Sequence, residues 1–244
     1  MSFLKPTFWQ IPLINLEHTE QLTEKTVALK QRLTQIADSH QDARFASSLA
    51  VEDMVITDMI AREHLNIGIF TLDTGLLHQE TLNLLDDVAK TYPNIHVERF
   101  RPIQQDADHY VEEKGKFAFY ESVELRRECC HIRKIEPLNR AINGADAWLT
   151  GQRREQSATR TELPFAEWDK ARGIDKYNPI FDWSETDVWR YILANNVPYN
   201  ALYHQGFPSI GCDPCTRQVK EGEDIRAGRW WWENKDSKEC GLHK

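Results

Sequence analysis

Apolar and polar positions alternate between two periods along most of this chain. Leu22, Val27, Leu29, Leu33 and Ile36 recur near helical spacing, so residues 16–40 are predicted to form a polar amphipathic helix. Arg44-Phe45-Ala46 reads as a strand, followed by an apolar-periodic helix that reaches about His64. The run from Ile67 to Leu72 is a short buried strand, with a helix over about 77–91 behind it. Ile95 to Phe100 alternates with the period of a strand, and helical stretches follow near 105–114 and 129–143. Two more strands are predicted, from Ala145 to Thr150 and from Lys176 to Phe181. Ser184 is a good N-cap with Asp187 three residues on, close to a capping box, so a helix begins there. From about 197 onward the pattern turns irregular and rich in Gly, Pro and Trp.

Strands alternating with helices mean βαβ units and a parallel sheet, which sets the fold class as α/β. Three segments are expected: an N-terminal helical segment over 1–40, the α/β domain over 41–232, and a C-terminal tail over 233–244. The polar 233–239 stretch and Gly241 suggest that this tail is mobile. Ligands of such sheets bind beyond the carboxyl ends of the strands. Three strand-end loops there carry polar chemistry: Ser47-Ser48, Asp73-Thr74-Gly75, and Thr150-Gly151-Gln152-Arg153-Arg154.

Composition narrows the classes. The 244 residues are 41% apolar and 28% charged, an ordinary balance for a soluble protein. The N-terminus does not read as a secretory signal, and no run approaches the ~18 apolar residues of a membrane span. A cytoplasmic protein without a membrane partner is expected. A net charge of −8 argues against a general nucleic-acid binder. Basic residues nevertheless gather at Arg126, Arg127, Arg133 and Lys134, at Arg153, Arg154 and Arg160, and at Arg217, Lys220, Arg226 and Arg229. Local basic clusters on an acidic protein suit a small anionic substrate; solvated helix faces are the alternative for any one cluster.

The five cysteines fall into two tight pairs, Cys129-Cys130 and Cys212-x-x-Cys215, with Cys240 left over. Two pairs can converge on one thiolate site, as in an iron–sulfur protein. Structural zinc, two disulfides and unrelated buried thiols are the other readings. A vicinal pair makes a poor zinc knuckle, and a chain of this length needs no disulfide staples. Lys134 lies four residues after Cys130, one helical turn on. The Ser47–Asp53 loop suits an anion at a helix N-terminus, yet it lacks the glycines and the Lys-Ser/Thr end of a Walker A loop. Gly75 would allow close backbone approach of a ribose or base edge, and Arg153 with Arg154 would grip phosphate or sulfate.

Together these motifs resemble the assimilatory sulfonucleotide reductases, within the adenine-nucleotide α-hydrolase-like, Rossmann-like superfamily. The resemblance runs from about residue 40 to the C-terminus, through Ser47-Ser48-Leu49, Leu72-Asp73-Thr74-Gly75, Cys129-Cys130 with Arg133-Lys134, Leu149 to Ser157, Cys212-x-x-Cys215, Arg226-x-x-Arg229-Trp230 and Glu239-Cys240-Gly241-Leu242-His243. It implies a [4Fe–4S] cluster on Cys129, Cys130, Cys212 and Cys215, since members with both pairs resemble those that reduce adenosine 5′-phosphosulfate. It implies Cys240 as the nucleophile, thioredoxin as reductant, and a homo-oligomer, often a tetramer. Substrate binding falls by the same resemblance to Ser47, Ser48, Leu72, Asp73, Gly75, Lys134, Gly151, Arg153, Arg154, Arg226 and Arg229. A reductase for the 3′-phosphorylated nucleotide or for both, and a non-catalytic zinc-binding module, are the competing readings. An ATP pyrophosphatase of the same superfamily is disfavoured, because the Ser47–Asp53 stretch lacks its glycine pair.

Overall fold

Five of six strands run parallel in a single sheet of order β3-β2-β1-β4-β6-β5, with β5 antiparallel on the edge. The computed structural model describes residues 7–15, 19–156 and 160–234. The strands are β1 (Ala43–Ala46), β2 (Gly68–Leu72), β3 (Val97–Phe100), β4 (Ala147–Leu149), β5 (Ala166–Asp169) and β6 (Ile174–Tyr177). Phe45 on β1 registers with Ile69 on β2 and with Leu149 on β4. β4 is apolar along its length, and β1 is apolar except for Arg44, because helices cover both faces of a parallel sheet; Phe45, Ala147, Trp148 and Leu149 are fully buried.

The helices are α1 (Glu20–Ser39), α2 (Val51–Arg62), α3 (Gln79–Thr91), α4 (Gln104–Lys114), α5 (Val123–Cys130), α6 (Glu136–Ala141) and α7 (Glu185–Ala194). Thr19 caps α1 by accepting the Leu22 N–H at 3.2 Å. Leu22, Leu29, Leu33 and Ile36 of α1 join the main core, whereas Val27 points out and is half exposed. The α1 helix is also fastened to the approach to α7: Arg32 forks onto Asp182 at 2.8 and 2.7 Å, and Lys25 reaches Asp187 at 2.5 Å. Ser184 and Asp187 form a full capping box on α7. Under α2 the carboxylate of Asp58 is fully buried and accepts from Tyr92 at 2.6 Å, Tyr191 at 2.7 Å and Arg62 at 2.8 Å, which joins α2 to the end of α3 and to α7.

Three elements differ from the sequence expectation. The last parallel strand is Ile174–Tyr177 rather than 176–181, because Asn178 turns its side chain onto the Pro164 carbonyl and Pro179 offers no N–H to continue the ladder. The edge strand β5 is not among the predicted strands; its apolar positions, Ala166 and Trp168, alternate with Glu167 and Asp169 but face solvent. The expected 129–143 helix begins earlier, at Val123, and passes through a π-helical turn, His131–Ile135, into α6. No helix among the described residues is long and apolar enough to cross a membrane.

Candidate active site

Chain direction across the sheet reverses between β1 and β4: β2 and β3 follow on one side of β1, β4 and β6 on the other. A crevice opens at such a switch point, where neighbouring loops leave in opposite directions. Here it is a cleft of about 260 Å³. Its walls are Ser47, Ser48, Glu52 and Asp53 after β1, Leu72 at the end of β2 with Thr74 beyond it, and Thr150, Gly151 and Gln152 after β4. Lys134, Arg160, Arg226 and Arg229 bring positive charge to the same cleft.

The β1–α2 loop is held by its own side chains. Asp53 accepts from both the N–H and the hydroxyl of Ser48, each at 2.6 Å, and Ser47 Oγ accepts from the Leu49 N–H at 3.2 Å. Leu49 adopts a left-handed φ of 61°, a conformation a branched side chain takes only where its surroundings fix it. Ser48 is therefore turned onto Asp53, and the loop is shaped before any anion arrives. Burial pushes the Asp53 carboxyl up to about 7, against the two Ser48 hydrogen bonds. Across the cleft, Gly151 presses on the same carboxylate: a Cβ there would lie 1.8 Å from Asp53 Oδ1.

The other motif residues divide between the cleft and its supports. Asp73 is buried away from the cleft lining and accepts from Arg99 at 2.7 Å and Arg101 at 2.8 Å. Burial alone would raise its carboxyl, but these arginines hold it below the usual carboxylate range. Gly75 makes the turn with φ 71°, and Arg133 donates to the Thr74 carbonyl at 2.9 Å beside it. Arg153 is almost fully buried and donates to Glu52 at 2.9 Å and to the Trp183 carbonyl at 3.2 Å. Arg154 donates to the Leu163 carbonyl at 2.9 Å and stacks on Phe181. Neither arginine is part of the cleft lining; Arg160 is, with its guanidinium 2.6 Å from Gln156 Oε1. Sequence reading passed over Arg160, Gln152 and Gln156 as site residues, although all lie in or just after the Arg153-Arg154 motif.

All four described cysteines are buried and unpaired by disulfides. Cys129 and Cys130 end α5, while Cys212 and Cys215 flank the short turn Asp213–Cys215. That turn is hung on the β2–α3 loop, with the Asp213 N–H donating to the Leu76 carbonyl at 2.8 Å and Thr74 Oγ1 lying 3.3 Å from Cys212 Sγ. Burial pushes the Cys129 thiol up to about 11 and the Cys215 thiol up to about 12; the neighbouring cysteines add to both shifts and Lys134 opposes them. The four thiols therefore lie within electrostatic reach of one another and of Lys134. Among the described residues, no three His, Cys, Asp or Glu side chains converge as they would on a single ion. Four buried thiols drawn from two segments are the donor type that an iron–sulfur cluster takes. Cys240 lies outside the described residues.

A mostly parallel sheet with a cationic cleft at its switch point defines an α/β protein whose site suits a small anionic ligand. Residues 43–218 match the phosphoadenosine phosphosulfate reductase domain, and the chain belongs to that family. It is 76% identical, over the whole of both chains, to the adenosine 5′-phosphosulfate reductase of Neisseria meningitidis serogroup A. Identity to the enzyme of the same name from Burkholderia cepacia is 57%, across 92% of this chain and 90% of that one. Among solved structures, the phosphoadenylyl-sulfate reductase of Candida auris in its phosphate complex superposes with a TM-score of 0.66 at 26% identity, covering 86% of this chain and all of that one. The chain is thus an oxidoreductase of this family.

Proposed function

We propose that this protein reduces adenosine 5′-phosphosulfate to sulfite and AMP, with thioredoxin as reductant. The observation that carries the substrate choice is the full-length 76% identity to a relative of that name. The cleft supports it: a sulfonucleotide carries its anionic phosphosulfate where Lys134, Arg160, Arg226 and Arg229 gather.

In this reading the Cys240 thiolate attacks the sulfate sulfur. The bond from sulfur to the bridging oxygen breaks, and AMP leaves with the electron pair. Charge develops on the leaving phosphate, which is where the cleft cations act most on the rate. The product is an S-sulfonated Cys240. A thioredoxin thiolate then attacks Cys240 Sγ and expels sulfite, and the second thioredoxin thiol resolves the mixed disulfide, so thioredoxin is oxidised by two electrons. Ser47 closes the β1–α2 loop, and Asp53 and Gly151 set the cleft floor.

Cys129, Cys130, Cys212 and Cys215 are the residues that would hold a [4Fe–4S] cluster. Bound there, the cluster supplies fixed charge beside Lys134, since both electrons come from thiols. Iron and sulfide analysis with a visible spectrum checks the donor set; colourless protein with one zinc would overturn it. The function is tested by anaerobic sulfite release from adenosine 5′-phosphosulfate and from its 3′-phosphorylated form. Equal use of the two overturns the substrate choice, and turnover by Cys240→Ser overturns the nucleophile.

A further inference from the structure

Arg126 is fully buried, has no place in the cleft lining, and touches two regions at once. Its guanidinium forks onto Glu233, with Nε 2.6 Å from Oε1 and Nη2 3.0 Å from Oε2, and the Glu233 side chain is itself only 3% exposed. The same side chain hydrogen-bonds Cys130, one helical turn along α5, and lies 4.6 Å from the ring centroid of Trp230. Trp230 donates its N–H to the Cys215 carbonyl at 3.1 Å, and Glu233 donates its own to the Trp230 carbonyl at 2.9 Å. Residues 230–233 are thus mounted on both cysteine pairs, through a side chain on one and the backbone on the other.

The conformation of this mount argues that it is enforced. Trp230 has a left-handed φ of 42°, an outlier for a bulky side chain that persists only where the surroundings over-determine it. A buried arginine–carboxylate pair is also seldom a net gain over apolar packing. What it provides here is a fixed, charge-matched geometry. Cys240 follows Glu233 by seven positions, a reach of at most ~25 Å even when fully extended, so the place of Glu233 limits where Cys240 can go.

We propose that Arg126 and Glu233 are positioning residues that make the placement of the C-terminal segment depend on the four-cysteine site being filled. A metal group on the four cysteines fixes Cys130 and Cys215. Their contacts with Arg126 and Trp230 carry that fixity to Glu233. This inference rests on the reading of the cysteines and of Cys240 given above.

The test uses iron-loaded full-length protein and Glu233→Gln, which keeps the shape and removes the charge. Iron content and visible absorbance should match the wild type. Single-turnover S-sulfonation of Cys240 without reductant, followed by intact mass, should slow roughly tenfold or more, with the substrate KM within about twofold, as expected for a misplaced reacting group. Iodoacetamide alkylation of Cys240 without substrate should speed up by about threefold or more. Chelator-stripped wild type should show the same increase, and stripping Glu233→Gln should add nothing, because one linkage is broken in both. Arg126→Lys, which keeps charge but not the fork, should fall between. Wild-type S-sulfonation and alkylation in Glu233→Gln would overturn the inference alone. Failure of the wild type to form the Cys240 adduct would overturn the nucleophile assignment and this inference with it.

Discussion

Gly151 and Asp53 meet so closely at the floor of the cleft that only a hydrogen fits on the glycine Cα beside the carboxylate. A methyl group there would stand 1.8 Å from Asp53 Oδ1. Two loops more than ninety positions apart in sequence are thus fitted to each other at the floor of the cleft.

Gly151→Ala should therefore push Asp53 off Ser48 and open the β1–α2 loop. We expect a loss of about 1–3 kcal/mol, the usual cost of overpacking, and a KM for the sulfonucleotide raised by an order of magnitude or more. Urea midpoints and initial rates measure the two effects. Asp53→Ala in the same chain should recover part of the stability, whereas an unchanged urea midpoint in Gly151→Ala alone would contradict the contact.

Asp53 also sets a pH dependence. Its carboxyl stands near 7 when folded, above its ordinary value, so it holds its proton more tightly in the folded chain. Its contribution to stability is fully present below pH ~4 and fades as the pH rises through about 7. The rise from the ordinary aspartate range to about 7 corresponds to at most ~4 kcal/mol. Asp53→Asn should flatten that part of the stability curve, as read by urea unfolding across the range. Parallel curves for the two proteins would mean that this carboxyl does not titrate there.

The arginines of the 150–160 loop should separate by phenotype. Arg153 offsets a buried Glu52, which it holds below the usual carboxylate range together with Gln156, although burial alone would raise it. Arg153→Ala leaves that carboxylate uncompensated and should cost about 3 kcal/mol of stability. Arg160→Ala should leave the urea midpoint near wild type and raise the substrate KM. The reverse pattern would mean that the two side chains exchange roles in solution.

Asp58 is predicted to matter for stability alone. Its fully buried carboxylate takes three donors from two tyrosines and an arginine. Asp58→Ala strands the two buried tyrosine hydroxyls, while Arg62 keeps the Asn195 carbonyl, and should cost about 3–5 kcal/mol, with KM unchanged in whatever fraction stays folded. Chemical denaturation alongside steady-state kinetics makes the comparison.

Much of this architecture can be read from the chain. The alternation of periods places five of the strands and the cleft at their carboxyl ends, and Ser184 with Asp187 marks the start of α7. The edge strand β5 escapes because it is only four residues long and its two apolar residues, Ala166 and Trp168, face solvent rather than a core. Charge placement is harder. Nothing local distinguishes Arg153, buried against Glu52, from Arg160, which lines the cleft; the turn at Arg154–Gln156 and the approach of α2 decide it. Asp73 sits in a motif that suggests ligand contact, yet Arg99 and Arg101 from the neighbouring strand claim it. Those partners come from tertiary pairing, which spacing along the chain does not encode.

The seam between β1 and β4 has a bearing on how the protein is made. Ala43 pairs with Ala147, more than a hundred positions later, and the cleft lies along that seam. Closing so large a loop is a non-local step that local helix formation cannot hasten. A nascent chain that has emerged only as far as α5 holds the Ser47–Asp53 loop and one cysteine pair, but neither the wall opposite nor the second pair. Nucleotide binding and cysteine-site assembly should both wait on the last third of synthesis, so the protein passes through a long interval in which its first cysteine pair is already present and not yet enclosed.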